Sequence, residues 1–260
     1  SPTGRQIRLL ETPCTCTFSN VGRNYKDILA SERKGISSRQ HGFARDSDFI
    51  CTDITDNSLT FILKSSEETL NVYPFAFALK ITYTLKEHDL DICWEVVNND
   101  SETMYFTIGG HPAFRVPVRE GESQSDYRLA FEGLDALTYL LIDTSAGTVI
   151  ADEPHTLSLE NGTCSIAPHM FDKDALVFDN GQIQKAGILF PDGTPYLTLT
   201  SEGFPNFGIW SVPGAPFVCL EPWMGRCDDC GFEKSLSEKN NINVLKPDEE
   251  FIKSYQITVH

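Results

Sequence analysis

Phe77-Ala78-Leu79-Lys80-Ile81-Thr82-Tyr83-Thr84-Leu85 and Leu90-Asp91-Ile92-Cys93-Trp94-Glu95-Val96-Val97 are two β-rich runs joined by Lys86-Glu87-His88-Asp89. Apolar side chains recur at every second place in both, the period with which a strand presents one face. The polar tetrapeptide between them supplies a turn, so the stretch reads as a β-hairpin.

Working outward, β-rich segments recur at residues 59–63, 104–108, 127–131, 138–142, 176–178 and 196–200, and Pro191-Asp192-Gly193-Thr194 carries the chemistry of another tight turn. No long segment places apolar residues at helical spacing, and helix-like composition is confined to short pieces such as residues 26–34. The pattern is all-β. Many short strands with turns between them leave a sandwich or a barrel, which periodicity alone does not separate. With 260 residues, 40% of them hydrophobic, and no linker or charge block, residues 1–260 are expected to form a single domain.

Thirty-seven acids against 21 lysines and arginines give a net charge of −16. Such a surface argues against nucleic acid, whose phosphates need clustered cations, and against an anionic membrane. No stretch reaches the roughly 20 apolar residues of a bilayer span, and no leader is evident, so a cytoplasmic location is expected. Eight cysteines are too dilute for a disulfide scaffold, and Cys93 and Cys219 fit buried thiols on strands. Cys227-Asp228-Asp229-Cys230 has metal or redox spacing, but Cys14 and Cys16 do not make a second zinc pair and no βαβ unit accompanies it.

Three constellations could carry chemistry. Ile108-Gly109-Gly110-His111-Pro112-Ala113-Phe114 holds a histidine at a strand end, between glycines that allow close backbone approach and a proline that fixes the exit. Phe217-Val218-Cys219-Leu220-Glu221-Pro222-Trp223 is an apolar strand ending in a carboxylate and a large aromatic. A buried Glu221 requires a partner or a task; the structural alternative is an ion pair with Arg226. Trp223 could stack on a ligand or plug the core. His41-Gly42-Phe43-Ala44-Arg45-Asp46, with Arg23 upstream, suits hydroxyl recognition, although Arg45 could equally pair with Asp46 or Asp48 at the surface. His169 with Asp172 and Asp174 stands before another strand.

Taken in order, His41-Gly-Phe-Ala-Arg45-Asp, Gly109-Gly-His111-Pro-Ala-Phe and Leu220-Glu221-Pro-Trp223 resemble the aldose 1-epimerase (galactose mutarotase-like) superfamily, in its LacX-like branch. Tyr73-Pro74-Phe75, Phe171-Asp172-Lys173-Asp174-Ala175-Leu176, Gly208-Ile209-Trp210-Ser211 and Leu245-Lys246-Pro247 add to the resemblance, which runs from about Gly22 to the C-terminus. It implies a large antiparallel β-sandwich of the supersandwich type, with a sugar in an open cleft and neither metal nor organic cofactor. It also implies Glu221 as general base and His111 as general acid, with Arg23, His41, Arg45 and Asp174 as substrate contacts, to which the stacking reading of Trp223 adds a fifth. The implied activity is interconversion of the α and β anomers of an aldohexose.

The residue types suit that chemistry. Opening a hemiacetal ring removes the proton of the C1 hydroxyl while the ring oxygen is protonated, work for one base and one acid. The residues do not choose between galactose, glucose and their 6-phosphates; Arg23, Arg45 and Arg226 are the candidate phosphate ligands. A non-catalytic carbohydrate-binding or regulatory protein would use the same arginines and aromatics without needing the acid and base. A glycoside hydrolase would ask for two flanking carboxylates where one stands out. In the family several strands precede the Val21-Gly22-Arg23 motif, so the region before about residue 40 is expected to be truncated or atypical, with residues 24–40 lacking a hairpin.

Overall fold

A computed structural model describes residues 16–29 and 36–260. Its largest element is a nine-stranded sheet, ordered Thr163–Ser165, Arg128–Phe131, Lys185–Leu189, Pro195–Thr200, Glu250–Val259, Asp89–Asn98, Phe77–Lys86, Ser58–Lys64 and Ile50–Ile54, with every neighbouring pair antiparallel. The hairpin read from the sequence lies at its centre: Phe77 pairs with Asn98 and Lys86 with Asp89, and Glu87 adopts φ 52 in the turn. The turn at Pro191–Thr194 also forms, closed by bonds between Phe190 and Thr194 and between Gly193 and Phe190.

A second, six-stranded sheet runs Cys16–Thr17, Ile108–Gly110, Phe217–Met224, Asn206–Trp210 and Leu176–Phe178, and Ala113–Arg115 also pairs with Phe217–Met224. The two sheets meet face to face as the expected antiparallel sandwich. Leu79, Ile81, Ile92, Trp94 and Val96 from the larger sheet pack in one cluster with Ile108, Leu176, Phe178, Phe207, Ile209, Val218 and Leu220 from the smaller. Each such side chain removed from water contributes roughly 1.5–3 kcal/mol, opposed by the entropy of ordering it. Trp94 packs against Phe204 and Tyr255, with ring centroids 6.0 and 5.3 Å apart.

The other face of the six-stranded sheet carries a separate small cluster of Val21, Leu140, Val149, Val177, Trp223 and Cys227. Period-two alternation sorts the two: Leu176 and Phe178 face the sandwich interior while Val177 between them faces the small cluster. The candidate site lies on this second face.

Two expectations for the N-terminal region are corrected. Residues 25–27 form only a single 3-10 turn, with Lys26 and Asp27 at φ 58 and 54, and the chain then enters a strand instead of a helix; residues 30–34 lie outside the described part. A hairpin is present after all, since Ile28–Leu29 pairs with Ile36–Ser37. Two residues a side are too few for alternation to be legible. The sole α-helix among the described residues, Glu67–Val72, is capped by Ser66, and no described helix is long and apolar enough to cross a membrane.

Phe18 ties the N-terminal segment to the sandwich. Its ring meets Phe43, Tyr73, Phe77 and Phe106 at centroid distances of 5.0–5.8 Å, and its carbonyl accepts from the Phe43 and Ala44 amides at 2.9 and 3.0 Å. Gly42 is required beside it, because a Cβ there would lie 2.2 Å from the Phe18 oxygen and φ is +68°. Phe18→Ala is expected to destabilise the fold by about 3–5 kcal/mol in urea unfolding; a loss under about 1 kcal/mol would show that the aromatic cluster does not hold this segment.

Candidate functional site

The ladder on one edge of Phe217–Met224 is interrupted. Gly109 pairs with Trp223 and Ala113 with Cys219, so the intervening residues are carried past the strand with His111 opposite Glu221. His111 Nδ1 and Glu221 Oε1 stand 3.6 Å apart. Only 2% of the Glu221 side chain is exposed against 24% for His111, so the carboxylate forms the floor and the imidazole the wall.

The glycines read from the sequence now have a cause. The Trp223 indole lies across Gly109 and Gly208, where an added Cβ would come within 2.4 and 2.3 Å of the ring, and a Cβ on Gly110 would meet the Tyr255 hydroxyl at 2.9 Å. Small residues on both neighbouring strands let the indole lie flat beside Glu221.

Around this pair opens a cleft of about 280 Å³ whose lining includes His41, Arg45, Asp174, Trp210 and Trp223. The His41 ring is 5.3 Å from that of His111, and Trp210 meets His111 edge-on at 5.7 Å and 90°. His41 is held at φ 63 by its amide donating to the Gly22 carbonyl at 2.8 Å, and its Nδ1 accepts from the Gly22 amide at 3.2 Å. An accepting Nδ1 places the ring proton on Nε2. Burial, then the charges of His111, Arg45 and Arg23, push the His41 pKa down to about 3, so the ring stays neutral. Asp174 sits at φ 72 with its carboxylate accepting from the Ala175 amide at 2.7 Å.

Burial also dominates at Glu221, raising its carboxyl to about 7. Asp174 adds to the rise, while His111 and the Trp223 indole work against it. The indole N–H faces the carboxylate without closing a hydrogen bond, and Glu221 Oε2 is buried and unpartnered. A buried oxygen left so costs stability, which marks the position as one held for something other than packing.

Arg226 is not the partner of Glu221. Its guanidinium forks onto Asp179 at 2.8 and 2.9 Å and reaches Asp229 at 2.8 Å, and this commitment also removes it from the candidate phosphate ligands. Asp228 pairs with Lys239 at 2.7 Å and accepts from the Tyr25 amide at 2.8 Å, tying the Gly22–Tyr25 turn to the Cys227–Cys230 loop. The two aspartates between those cysteines thus satisfy buried cations. Cys227 is buried in the cleft wall, Cys230 is exposed, and Cys14 lies outside the described residues.

Arg23 stands at the rim, its stem against Gly147 and its guanidinium 3.1 Å from Asp27. Arg45 lines the cleft with a buried Nε that makes no hydrogen bond and lies 3.8 Å from Asp46. Trp223 is 4% exposed and packs with the small cluster, as its core reading expects, while its edge lines the cleft. His169 is 87% exposed, bonded to Asp172, and absent from the lining. The residue most clearly overlooked in the sequence is Trp210, whose neighbours Ile209 and Ser211 are buried while it faces the cleft; alternation along Asn206–Trp210 carried the signal. Among the described residues His111, Cys219 and Glu221 also offer possible metal-ligating atoms within 4.8 Å of one another.

Known proteins resemble this chain in sequence and in fold. A family model described as aldose 1-epimerase matches residues 22–257. The plasmid and chromosomal LacX proteins of Lactococcus lactis subsp. lactis are 30% identical over 230 residues, which span 85% of this chain and 75% of theirs. A galactose mutarotase related enzyme from Lactobacillus acidophilus superposes with TM-score 0.87 at 30% identity, over 94% of this chain and 82% of that one. A galactose mutarotase-like protein from Lactobacillus casei gives 0.84 at 28% identity, over 94% and 84%.

Glu221 makes stability depend on pH. Its folded value of about 7 lies above the ordinary 4.5, so as pH rises the unfolded chain releases the proton first and stability falls across that window. Glu221→Gln removes the titration. Relative to wild type it is expected to gain on the order of 3 kcal/mol between pH 4.5 and pH 8 in urea unfolding. A difference that does not change with pH would refute the raised carboxyl.

Proposed function

Because the chain belongs to the aldose 1-epimerase family, we propose that it interconverts the α and β anomers of an aldohexose or a closely related sugar by acid/base opening and reclosure of the ring. The observation that carries the proposal is the 3.6 Å approach of His111 Nδ1 to a buried Glu221 at the floor of a cleft. The C1 hydroxyl oxygen and the ring oxygen are bonded to the same carbon, so the groups that serve them must stand side by side.

Glu221 takes the proton of the C1 hydroxyl and His111 gives one to the ring oxygen. The C1–O5 bond breaks, C1 becomes an aldehyde carbon, and rotation about C1–C2 presents its other face. On reclosure the ring oxygen attacks C1, returns its proton to His111, and the new C1 hydroxyl takes one from Glu221. A base poised near 7 is half ionised at neutral pH and still strong enough to accept the proton, the compromise general-base catalysis requires.

Neutral His41 offers an Nε2 proton to a sugar oxygen, Asp174 accepts from a hydroxyl, and Arg45 donates through a guanidinium left incompletely bonded. Trp210 provides an apolar ring for a sugar face, with the Trp223 edge beside it. Arg23 reaches the sugar only by leaving Asp27, a half-exposed pair whose loss costs under about 1 kcal/mol. A binding protein would need the arginines and aromatics but not the unpartnered carboxylate, whose burial it would carry at a loss of stability.

The test is the rate at which fresh α-D-glucose, α-D-galactose and their 6-phosphates change optical rotation. The protein should accelerate at least one of them, with His111→Ala and Glu221→Gln each lowering the rate by roughly 10²–10⁴-fold. Folded wild-type protein that binds a sugar and accelerates none of them would establish the binding reading instead.

A further inference from the structure

Ring opening uses His111 and Glu221 and leaves a third group beside them unexplained. Cys219 precedes Glu221 by two residues on one strand, so thiol and carboxylate share a face, with Ala113 on one flank and Trp210 on the other. The thiol is 1% exposed. Its side chain belongs to neither apolar cluster, whereas its neighbours Val218 and Leu220 fill the sandwich interior.

We propose that His111, Cys219 and Glu221 form a binding site for a thiophilic divalent cation of the zinc class, and that its occupation shuts off the acid/base pair. One imidazole nitrogen, one sulfur and one carboxylate oxygen are a zinc donor set. Tetrahedral zinc, with bonds of about 2.0–2.3 Å, spaces its ligand atoms roughly 3.3–3.8 Å apart. The His111–Glu221 approach of 3.6 Å already fits, and all three donors fall within 4.8 Å of one another, so small rotamer changes close the set. The buried Glu221 Oε2 makes no hydrogen bond, an independent observation that leaves a carboxylate oxygen of this donor set uncommitted.

Coordination exchanges the thiol proton of Cys219, released to solvent, for a bond from thiolate to metal. The cation then neutralises both the thiolate and the Glu221 carboxylate, removing the cost of burying charge there. Asp174 reinforces the negative field, His41 is neutral, and the opposing Arg45 has Asp46 beside it. With three protein ligands the fourth position opens on the cleft and is left to water or a sugar hydroxyl. His111 and Glu221, once coordinated, no longer exchange protons with a sugar.

The inhibitory half of the proposal rests on the epimerase reading; the binding half does not, and it is tested first. Cobalt(II) titrated into the reduced protein should give a stoichiometric thiolate-to-cobalt charge-transfer band that zinc abolishes. Cys219→Ala should lose the band while retaining its circular dichroism and its rate on sugar, and Cys230→Ser should keep it. Should the alanine variant not fold, Cys219→Ser preserves the shape without a thiolate and is expected to lose the band equally. In the optical-rotation assay the zinc concentration for half-inhibition should rise at least tenfold in Cys219→Ala. No band from folded wild-type protein, or a band unchanged by Cys219→Ala, overturns the site. A band without any sugar turnover upholds the site and sinks only the epimerase reading.

Discussion

The site depends on one antiparallel register. Phe217–Met224 accepts Ile108–Gly110 and Ala113–Arg115 along the same edge, and the break between them lets His111 leave the ladder where Glu221 faces it. Shifting either strand by one residue would send Glu221 into the sandwich interior and an apolar neighbour, Leu220 or Pro222, into the cleft, because strand side chains alternate faces. Burial of Val218 and Leu220 on the interior face therefore fixes where the carboxylate points.

Packing beyond the register serves the same end. Trp223 needs Gly109 and Gly208 beneath it, and the resulting flat contact closes one side of Glu221 to water. On the other side the bonds between Gly22 and His41 bring in a neutral imidazole. The segments that carry these two residues are secured by the Phe18 cluster and by the buried Asp228–Lys239 pair. Breaking one partner of such a pair leaves an uncompensated buried charge, so these links are harder to lose than surface pairs.

The same burial that gives Glu221 a basicity matched to neutral pH also leaves it underbonded. Under the proposed function, activity and stability pull in opposite directions at this residue, as expected where a protein holds a reactive group away from water. Arg226 illustrates the other outcome: equally buried, it is saturated by Asp179 and Asp229, and its guanidinium is held charged and inert.

Alternation of apolar residues determined the all-β class and the central hairpin from the sequence alone, because a two-residue period is a local property of a strand half in and half out of a core. The motifs around His111 and Glu221 drew attention to these residues for a local reason, glycines and a proline beside one and an apolar strand around the other, although Glu221 stands within Phe217–Met224 and not at its end. Short pairings such as Ile28–Leu29 with Ile36–Ser37 were not legible, being too brief to show a period. Tertiary structure alone decided that Arg226 belongs to Asp179, that Arg23 stands at the rim and that Trp210 and Cys219 stand beside His111 and Glu221. Those facts depend on strands far apart in the chain meeting in one register, and on burial setting which charges find partners; neither is encoded in any single local stretch.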